Sequence, residues 1–573
     1  MALITRQVFG EESMIIDLDK VPFSKFGSYL MLSTARQRVD DPNLYIRSAH
    51  SGKGIAHIFK ITLARHGENI PYKITATPWQ VRLESQNGAV EFCFKNVNTI
   101  AFTGTNVDIC FELFEVGSFG NAIQRSPQHC QVLAWNNRLV FLFSAIEGEL
   151  QIDAPWISEK CRWVKLIFSG EKIGGLIEAG RREIVPRMMQ ADFPAIKRDA
   201  QKEFEAWLAK MPPVPDTYLN SAKLAWYILW ESVVEPDGFF KRPAMLSSKN
   251  WMPSVWAWDH CFNVLALARS APELAWDQFM LMFDAQLPNG ALPDAINNTS
   301  LTTVFTKPPI HGWTLRVLME RSKCVDGQKL REIYAPLKRW TDWWFEERDD
   351  DADGIPQYNH GNDSGWDNAT VFDEGAPIES PDLSAYLIVQ MDVLATIAAE
   401  LGFGAAAKNW QSRADQLLRK MLDHFWQKDG FVSKHNRTHR VVNAPLSLLN
   451  FMPLVLGTRL ERNYRDHLVK KLFASGFVTD FGLATESTES KPFNPKGYWR
   501  GPIWPSPLLI LVDSLLRIGN KAEATEIAHK FCNMVNGQPG IYENYDPVTG
   551  EGLCDPAYTW TASVFLVLLE DFF

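Results

Sequence analysis

The chain has 573 residues, of which 46% are hydrophobic and 22% are charged, an ordinary composition for a globular protein. This length exceeds what one hydrophobic core usually supports, so two domains are expected. The formal net charge of -9 comes without a basic run or stripe that could neutralise phosphates, which argues against nucleic acid as a partner.

The first residues, Met1 to Gln7, contain neither a long apolar stretch nor a small-residue cleavage site typical of a secretory signal. No window approaches the roughly 20 apolar residues needed to span a bilayer. We therefore expect a cytoplasmic protein with no membrane partner. The eight cysteines are scattered, with no pair separated by two residues. This pattern predicts buried thiols rather than a disulfide framework or a cysteine metal site.

Up to about residue 180, short segments of β-branched and aromatic residues alternate with breaks that contain Asn, Gly and Ser, which predicts β-strands. Many short strands with such breaks are typical of a β-sandwich, and residues 1–180 are predicted to form one. The clearest strand segments are 90–94, 107–114, 131–135, 138–143 and 163–168.

The pattern changes after residue 181. Residues 195–210 have the composition of a charged helix, and residues 211–215 include three prolines that cannot continue it. We therefore place a linker helix region at 181–215. The second domain is predicted to run from residue 216 to residue 573.

From residue 216 onward, apolar residues recur every three or four positions, as on the buried face of an α-helix. One such stripe consists of Leu387, Met391, Leu394, Ala398 and Leu401. The residues between them are also apolar, so this helix should be covered on more than one side. The segment 405–427 is richer in charge and is predicted to be an outer helix.

In total the pattern predicts eleven or twelve helices. They lie near residues 217–234, 259–268, 271–285, 309–322, 327–347, 382–402, 405–427, 444–455, 459–474, 502–518, 520–536 and 557–572. Buried and amphipathic helices alternate, with polar loops between them, which favours a closed toroid of paired helices. No sequence repeat is visible, so the pattern does not indicate a solenoid.

Two loops carry isolated carboxylates. Residues 361–370 place Asp367 among Gly, Trp and Asn, and residues 542–547 place Glu543 among Tyr and Asn. Neither carboxylate has a neighbouring Lys or Arg to neutralise it. Inverting cleavage of a glycosidic bond needs a carboxylic acid on one side of the sugar and a carboxylate that activates water on the other. For either motif alone, a simple turn or a helix cap explains the residues as well.

Two further segments have the composition of a sugar-binding wall. In residues 255–260, Trp256 and Trp258 flank Asp259 at the start of a predicted helix. Indole faces can stack on sugar rings while a carboxylate accepts hydrogen bonds from hydroxyls. The alternative is a helix N-terminal acid beside two core tryptophans.

In residues 496–505, an aromatic wall is combined with Arg500, whose guanidinium is a fixed fork for hydroxyl or carboxylate recognition. The aromatic residues of this segment are Tyr498, Trp499 and Trp504. Three such residues beside two prolines and two glycines favour a pocket over core packing.

Residues 349–354 match the first half of a calcium-binding loop, in which Asp349, Asp351 and Asp353 alternate before Gly354. The twelfth position of the loop is His360 instead of Glu, so the complete pattern is absent. A structural calcium ion completed by a distant carboxylate is one interpretation, and a solvated acidic turn is the other.

Together, residues 365–368, 498–505 and 543–550 resemble the signatures of glycoside hydrolase family 63. That family includes processing and bacterial α-glucosidases and mannosylglycerate hydrolases, and it is related to the trehalases of family 37. The resemblance covers the C-terminal two-thirds of the chain, with several motifs in the family's order. It implies an (α/α)6 barrel. Together with the β-sandwich that the strand pattern predicts for residues 1–180, the expected fold class is an α+β multidomain protein.

The resemblance also implies roles for individual residues. Asp367 is the general acid and Glu543 the general base of an inverting mechanism. The residues implied or expected to bind the sugar are Trp256, Trp258, Asp259, Gly365, Trp366, Tyr498, Trp499, Arg500 and Trp504. The aspartate-rich turn at 349–353 binds calcium in some members, and no cofactor is required. Lys307 stands where the family pattern leads us to expect Gln, which leaves the second sugar subsite undefined.

The predicted activity is therefore exo-acting hydrolysis of an α-linked glucoside or mannoside in a small oligosaccharide or glycoside. Two alternatives stay open. A helical-barrel disaccharide phosphorylase would use phosphate as the nucleophile and lack the catalytic base, and phosphate-independent product release would exclude it. A non-catalytic carbohydrate-binding protein need not keep both carboxylates, so the presence of Asp367 and Glu543 argues against it. For a charged aglycone, Arg500, Lys307 and His311 are candidate recognition groups, although His311 also fits a purely structural role. A small carbohydrate is the expected partner, with a homo-oligomer as a further option.

Overall fold

The computed structural model describes residues 14–34, 41–50, 57–187, 190–443 and 446–573. Within this part of the chain, two compact units meet in sequence between Ala209 and Lys210. This division falls inside the predicted linker region, 181–215. Each unit is built around its own core.

The first unit is dominated by one antiparallel sheet, which contains fourteen strands in the described residues. The strands of this sheet are β1 Phe23–Ser24, β2 Leu30–Ser33, β3 Leu44–Ser48, β4 His57–Arg65, β5 Glu68–Ile70, β6 Lys73–Thr77, β7 Gln80–Glu84, β8 Ala89–Asn96, β9 Thr99–Thr105, β10 Asp108–Leu113, β11 Asn121–Ser126, β12 His129–Ala134, β13 Leu139–Asp153 and β16 Lys165–Gly180. A separate small hairpin pairs β14 Trp156–Ile157 with β15 Lys160–Cys161. All five strand segments predicted above are confirmed.

The long strand β16 organises the sheet. Its first half pairs with β10 and its second half with β9, while β13 pairs along its other edge. The sheet curls so far that rings on strands that are not neighbours meet inside it. The ring of Phe59 on β4 lies 5.0 Å from that of Phe141 and 5.1 Å from that of Phe143, both on β13. The nearly closed sheet thus forms the two facing layers expected of a β-sandwich.

Helix α1, Phe193–Leu208, belongs to the same unit. Asp192 caps it by accepting a hydrogen bond from the Ala195 N–H at 3.1 Å, and Pro194 stands in its first turn. The helix packs against β8 and β9 and buries Phe204 and Trp207. The charged helix predicted at 195–210 is therefore a helix that covers the sheet.

The second unit contains eleven α-helices and one long 3-10 helix in the described residues. They are α2 Leu219–Glu231, α3 Asp259–Leu267, α4 Pro272–Asp284, α5 His311–Arg321, α6 Gly327–Glu347, α7 Pro381–Glu400, α8 Gly404–Phe425, the 3-10 helix Leu448–Arg459, α9 Arg462–Ala474, α10 Pro505–Arg517, α11 Lys521–Asn536 and α12 Thr559–Phe572. Each predicted helical segment thus overlaps a helix. The eighth differs in type, because Pro453 lies inside it and Gly457 has a non-helical φ of 57°.

The helices form two concentric rings. In the inner ring each member contacts the next and the last contacts the first, in the order α3, α5, α7, Leu448–Arg459, α10 and α12. The remaining helices pack outside, for example α8 against α7 and α2 against α12. This closed arrangement of six pairs is an (α/α)6 barrel, which confirms the predicted toroid.

Helix α7 shows why an inner-ring helix has an apolar sequence on all sides. Sixteen of its twenty residues are buried, as predicted from the apolar residues within its stripe. By length and composition, α7 is the helix in the described residues that could cross a membrane, but 83% of its most apolar window is buried inside the protein. The core of a large helical barrel accounts for its hydrophobicity.

Short strands join the loops between helices. They are β17 Val233–Val234, β18 Ala244–Met245, β19 Val255–Trp256, β20 Ala295–Ile296, β21 Leu301–Thr302, β22 Gln357–Tyr358, β23 Ile378–Glu379, β24 Trp426–Gln427, β25 Gly430–Phe431, β26 Lys434–His435, β27 Asn544–Tyr545 and β28 Gly552–Leu553. The strands β22, β23 and β26 form one antiparallel sheet. The loop that carries Asp367 leaves this sheet from β22 and returns to it at β23.

Candidate active site

The candidate site is a cavity in the helical unit, lined by residues from five inter-helical segments. Each segment precedes a helix of the inner ring. The lining residues are Met252, Trp256, Trp258 and Asp259 before or at the start of α3, Lys307 before α5, Asn362, Gly365 and Asp367 before α7, Tyr498, Trp499 and Trp504 before α10, and Glu543, Tyr558 and Trp560 before or at the start of α12. The ring geometry therefore brings distant stretches of sequence to one place.

Buried hydrogen bonds fix the Asp367 loop. The carboxylate of Asp363 is almost completely buried and accepts hydrogen bonds from the backbone N–H groups of Thr306, at 3.1 Å, and Asn359, at 3.0 Å. The Ser364 hydroxyl donates to the Gly361 carbonyl at 2.6 Å and accepts from the Trp366 N–H at 3.1 Å. Asp363 and Ser364 thus shape the turn, which leaves the carboxylate of Asp367 free to face the cavity.

Gly365 is required where the loop meets the aromatic wall. Its φ is +78°, a conformation that side chains rarely adopt, and a Cβ there would lie 2.6 Å from the indole of Trp258. The glycine therefore lets the loop backbone lie directly against that ring. It contributes to the site through close packing of its backbone.

The aromatic wall is a cluster of interlocked indoles. Trp499 and Trp504 stack with ring centroids 3.9 Å apart and an interplanar angle of 6°. Trp258 lies 5.7 Å from Trp499, and Trp560 lies edge-on to Trp504 at 5.3 Å. The wall is rigid, because each ring is held by others, and it provides the flat apolar surface that a sugar ring needs.

Two residues join the Asp367 loop to this wall. The side-chain oxygen of Asn368 accepts a hydrogen bond from the Trp499 N–H at 2.9 Å, and its amide group donates to the Gly497 carbonyl at 3.0 Å. Arg500 donates to the Asn368 carbonyl at 2.9 Å and forms an ion pair with Asp373. The loop and the wall are therefore positioned as one piece.

Glu543 lies immediately before β27 and is 6% exposed. Its backbone N–H donates to the Asp555 carbonyl at 2.8 Å, and its own carbonyl accepts from the Trp560 indole N–H at 3.0 Å. A bridge between Ile503 and Tyr545 ties this segment to the aromatic wall. The backbone of Glu543 is thus fixed from both sides, with its carboxyl group at the cavity.

Asp259 is buried at the first position of α3. Its Oδ1 accepts hydrogen bonds from the Tyr558 hydroxyl at 2.9 Å and the Ser247 hydroxyl at 3.2 Å. Burial raises its pKa to about 7, and these hydrogen bonds together with the charge of Lys307 limit the rise. A carboxyl group placed at a cavity in this way can bind sugar hydroxyls.

Lys307 is a buried cation at the edge of the site. Its Nζ lies 3.1 Å from Asp294 Oδ1 and 3.8 Å from Asp367 Oδ1. It also donates to the backbone and side-chain oxygens of Asn362, at 2.9 Å and 2.6 Å. The sequence identified Lys307 as a departure from an expected Gln and as a candidate group for a charged aglycone, and the structure places it beside the proposed proton donor.

The two proposed catalytic carboxyl groups have different electrostatic surroundings. Burial, followed by the charges of Asp555 and Asp259, raises the pKa of Glu543 to about 8. Burial also raises the pKa of Asp367, but the ammonium group of Lys307 opposes that rise. The surroundings of Glu543 in the sugar-free site therefore favour its protonated form, and the base role requires that this proton is released.

Most of the residues predicted to act on or bind the sugar and its aglycone meet at the cavity, and three of them lie outside its lining. The indole of Trp366 is 1% exposed and packs 5.0 Å from Trp499, so it supports the wall from behind. The guanidinium of Arg500 is engaged by Asp373 and by the loop backbone. His311 is completely buried in α5 and contacts the rings of His260 and Phe283, so it cannot recognise an aglycone in this conformation.

Four lining residues were not predicted from the sequence: Met252, Asn362, Tyr558 and Trp560. Tyr558 and Trp560 carry a signal that could have identified them. They form an aromatic pair at the start of the last inner helix, like the Trp pair that precedes α3. Met252 and Asn362 lack such a signal, since isolated residues of these types are common in ordinary loops.

The acidic loop at 349–354 adopts the first turn of a cation-binding loop. Gly354 has a φ of +82°, and its N–H donates to Asp349 Oδ2 at 2.9 Å. One oxygen of Asp349 and one of Asp351 are buried without a hydrogen-bond partner, so the loop has acceptors to offer a cation. His360 does not complete it, because its Nδ1 accepts from the Asn362 N–H at 2.9 Å. Calcium binding here stays a prediction.

Comparison with known proteins gives the family. Residues 252–561 match the mannosylglycerate hydrolase MGH1-like glycoside hydrolase domain. Over 411 residues the chain is 24% identical to mannosylglycerate hydrolase from Rubrobacter radiotolerans, an alignment that covers 56% of this chain and 91% of that protein. It is 22% identical to glucosylglycerate hydrolase from Mycolicibacterium hassiacum over 409 residues, or 55% of this chain and 91% of the relative.

Solved structures support the fold. The GH63 mannosylglycerate hydrolase from Thermus thermophilus in complex with glucose covers 60% of this chain and 98% of its own, with a TM-score of 0.53 and 20% identity. A bacterial glucoamylase complexed with acarbose covers 98% of this chain and 95% of its own, with a TM-score of 0.64 and 11% identity. Because the family match extends over more than half of the chain, this protein belongs to the MGH1-like family within glycoside hydrolase family 63 and is a glycoside hydrolase.

Proposed function

We propose that this enzyme removes an α-linked glucosyl or mannosyl unit from the end of a small glycoside, with inversion at the anomeric carbon. The observation that carries this proposal is that two carboxyl groups from separate loops, Asp367 and Glu543, line one aromatic cavity. The cavity also contains the buried carboxyl group of Asp259. An acid, a base and a sugar-binding wall are the parts that the reaction requires.

In the proposed mechanism, Asp367 donates a proton to the glycosidic oxygen as the bond to the anomeric carbon breaks. Glu543 accepts a proton from a water molecule that attacks the opposite face of the sugar. The released sugar then has the β-configuration, and the aglycone leaves with the proton from Asp367. The resemblance described above supplies this assignment of acid and base.

The surroundings of Glu543 are compatible with the base role once sugar and water are bound. A carboxylate that accepts a hydrogen bond from water or a hydroxyl is favoured over the neutral acid. A group with a raised pKa is also the stronger base after it loses its proton. Asp259, hydrogen-bonded to Tyr558 at 2.9 Å, is proposed to bind sugar hydroxyls and not to transfer protons.

A small carboxylic acid linked to the sugar is the aglycone that we favour. The relatives named above are hydrolases of mannosylglycerate and glucosylglycerate. In this chain Lys307 provides a buried ammonium group 3.8 Å from Asp367, the residue that faces the leaving oxygen in this mechanism. A carboxylate close to that oxygen would therefore come within reach of a cation.

The test is an assay of the purified enzyme without phosphate on mannosylglycerate, glucosylglycerate, trehalose, kojibiose, nigerose and maltose. NMR of the first product should show the β-anomer released from an α-linkage, with the highest kcat/KM on a glycerate-linked substrate. First release of the α-anomer would refute inversion. A requirement for phosphate would instead indicate a phosphorylase.

A further inference from the structure

A second cluster of polar side chains lies on the sheet that holds the base of the Asp367 loop. Donor atoms of Asp353, Glu379, His424 and His439 all lie within 4.8 Å of one another. Glu379 is on β23, His424 is in the last turn of α8, and the other two residues come from the loops after α6 and β26. Four separate segments thus bring two imidazoles and two carboxylates together.

The distances within the cluster match a single coordination sphere. His439 Nε2 lies 3.6 Å from Asp353 Oδ2 and 3.8 Å from Glu379 Oε1. His424 Nε2 lies 2.7 Å from Glu379 Oε2. Ligands at about 2.0–2.1 Å from a tetrahedral zinc ion are about 3.4 Å apart. The two His439 distances are close to this value, whereas the contact between His424 and Glu379 is a hydrogen bond that must lengthen when both bind one ion.

The charge of the region also calls for a cation. Four carboxylates meet there, those of Asp349, Asp351, Asp353 and Glu379. Within the described part of the chain, the ion-pair partners of these carboxylates are His424 and His439. The ammonium of Lys420 lies at the same loop and donates to the Asp353 backbone carbonyl. Glu379 is completely buried, and one oxygen of Asp349 and one of Asp351 are buried without a hydrogen bond. The two unpartnered oxygens, beside the proposed ligands, are costly to bury unless a cation or another partner satisfies them, whereas both oxygens of Glu379 accept hydrogen bonds.

Supporting hydrogen bonds hold the cluster in place. Glu379 Oε1 accepts from the Asn436 amide at 2.9 Å, and that amide also donates to Gln357 Oε1 at 3.3 Å. Carboxylate ligands of protein metal sites are commonly oriented by partners of this kind. The buried ligand Glu379 is therefore positioned independently of any ion.

The donor set decides between classes of metal. Calcium takes six to eight oxygen ligands, whereas imidazole nitrogens combined with carboxylates suit zinc and similar divalent ions. His439 Nε2 lies 3.0 Å from Asp351 Oδ2. In a calcium loop this oxygen would coordinate the ion, whereas here it contacts an imidazole nitrogen. We propose that Asp353, Glu379, His424 and His439 bind a divalent transition ion, with zinc as the best fit.

Such an ion would cross-link separate segments at the base of the Asp367 loop. It would connect β23, at the end of that loop, with α8 and with the turn after β26. Its effect is therefore expected on thermal stability and on the rigidity of the loop, with no part in proton transfer. The proposal does not depend on the identity of the sugar, so failure of either proposal can be recognised without the other.

The test is calorimetric titration of the full-length, chelator-treated protein with zinc chloride, cobalt chloride and calcium chloride. We expect one equivalent of zinc to bind at least tenfold more tightly than calcium and to raise the melting temperature. Bound cobalt should show visible absorption bands of nitrogen and oxygen coordination. These readouts do not require catalytic activity.

Two variants and a matched control identify the ligands. His424→Gln and His439→Gln should each weaken zinc binding at least tenfold. His435→Gln should leave it unchanged, because His435 lies in the same hairpin but faces Glu374, at 3.1 Å. Circular dichroism checks that each variant is folded.

Three outcomes would overturn the proposal. One is the absence of zinc binding to the unsubstituted protein. The cluster would then be a set of histidine–carboxylate ion pairs without a metal. Another is zinc binding that survives both histidine substitutions. The third is tighter binding of calcium that depends on Asp349 but not on His424, which would assign the acidic loop to calcium.

Discussion

At the scale of single residues, the productive form of the enzyme requires a proton on Asp367 and none on Glu543. The two surroundings work against this distribution in the sugar-free site. Burial and neighbouring carboxyl groups raise the pKa of Glu543 to about 8, while the ammonium of Lys307 opposes the rise in the pKa of Asp367. Asp367 is the smallest of the named contributions to the raised pKa of Glu543, so substitution of single members separates their roles.

A variant without the proposed acid should still hydrolyse a substrate whose leaving group needs no protonation. Fluoride leaves without being protonated, so Asp367→Ala should retain hydrolysis of the matching α-glycosyl fluoride to within about tenfold. On the natural glycoside the same variant should lose roughly 10²–10⁴-fold in rate, the usual contribution of general acid catalysis. Glu543→Ala should lose activity on both substrates. Steady-state rates measure this, and the opposite pattern would exchange the two roles.

Lys307 should control one limb of the pH profile of kcat/KM. Its positive charge favours ionised Asp367, so Lys307→Gln should raise the pKa of Asp367 and keep that group protonated to higher pH. We expect the limb governed by Asp367 to move to higher pH while the limb governed by Glu543 stays in place. Lys496→Gln is the control, because Lys496 pairs with Glu551 at the surface. Movement of the first limb to lower pH would contradict the prediction.

At the scale of elements, the Asp367 loop works only if it keeps its position against the aromatic wall. Asn368→Ala removes the two hydrogen bonds that its side chain makes to Trp499 and Gly497. Because a shift of about 1 Å can cost roughly 100-fold in rate, kcat/KM should fall by about 10- to 100-fold. Melting temperature should change little, since Asn368 is exposed.

A graded variant separates positioning from a general loss of structure. Asn368→Asp keeps the oxygen that accepts from the Trp499 N–H and removes the donor to Gly497. Its kcat/KM should therefore lie between those of the unsubstituted enzyme and Asn368→Ala. Equal rates for all three proteins would show that these hydrogen bonds do not position the acid.

The elements themselves were predictable because their patterns are local. Every predicted helix of the second unit overlaps a real one, since apolar periodicity reports which face is buried. The helix at Leu448–Arg459 differs in type, because Pro453 and the left-handed Gly457 break regular α-helical hydrogen bonding. Periodicity alone does not reveal such breaks.

Side-chain direction within the site was less predictable. Trp366 neighbours Asp367 in sequence, yet its ring turns to the back of the wall. Arg500 stands among wall residues, yet Asp373, 127 positions away in sequence, engages it. Both outcomes depend on contacts between separate loops, which neither composition nor spacing encodes.

At the scale of the whole helical unit, closure of the inner ring creates the site. Lining residues precede α3, α5, α7, α10 and α12, so the cavity exists only when these helices stand side by side. The ring closes where α12 contacts α3, and the Tyr558 hydroxyl reaches Asp259 across 299 positions of sequence. Stability of the ring and integrity of the site are therefore linked.

The contact between α5 and α7 offers a direct test of ring packing. A Cβ on Gly312 would lie 2.4 Å from the Gln390 Cα, and the Gly312 N–H donates to the Gln390 side-chain oxygen at 3.1 Å. Gly312→Ala must therefore push two inner helices apart. Overpacking of this kind typically costs about 1–3 kcal/mol, and the unfolding midpoint in denaturant, followed by helical circular dichroism, should fall accordingly.

Gly404→Ala is the matched control, because a Cβ at Gly404, the first residue of α8, meets nothing within 4 Å. Alanine favours a helix over glycine by up to about 1 kcal/mol, so this variant should be neutral or slightly stabilised. The two substitutions add the same methyl group, and only the one inside the ring should also reduce kcat. Equal midpoints and equal rates for both variants would contradict the prediction. They would mean that the contact between α5 and α7 accommodates an added methyl group and that the cavity does not depend on close packing there.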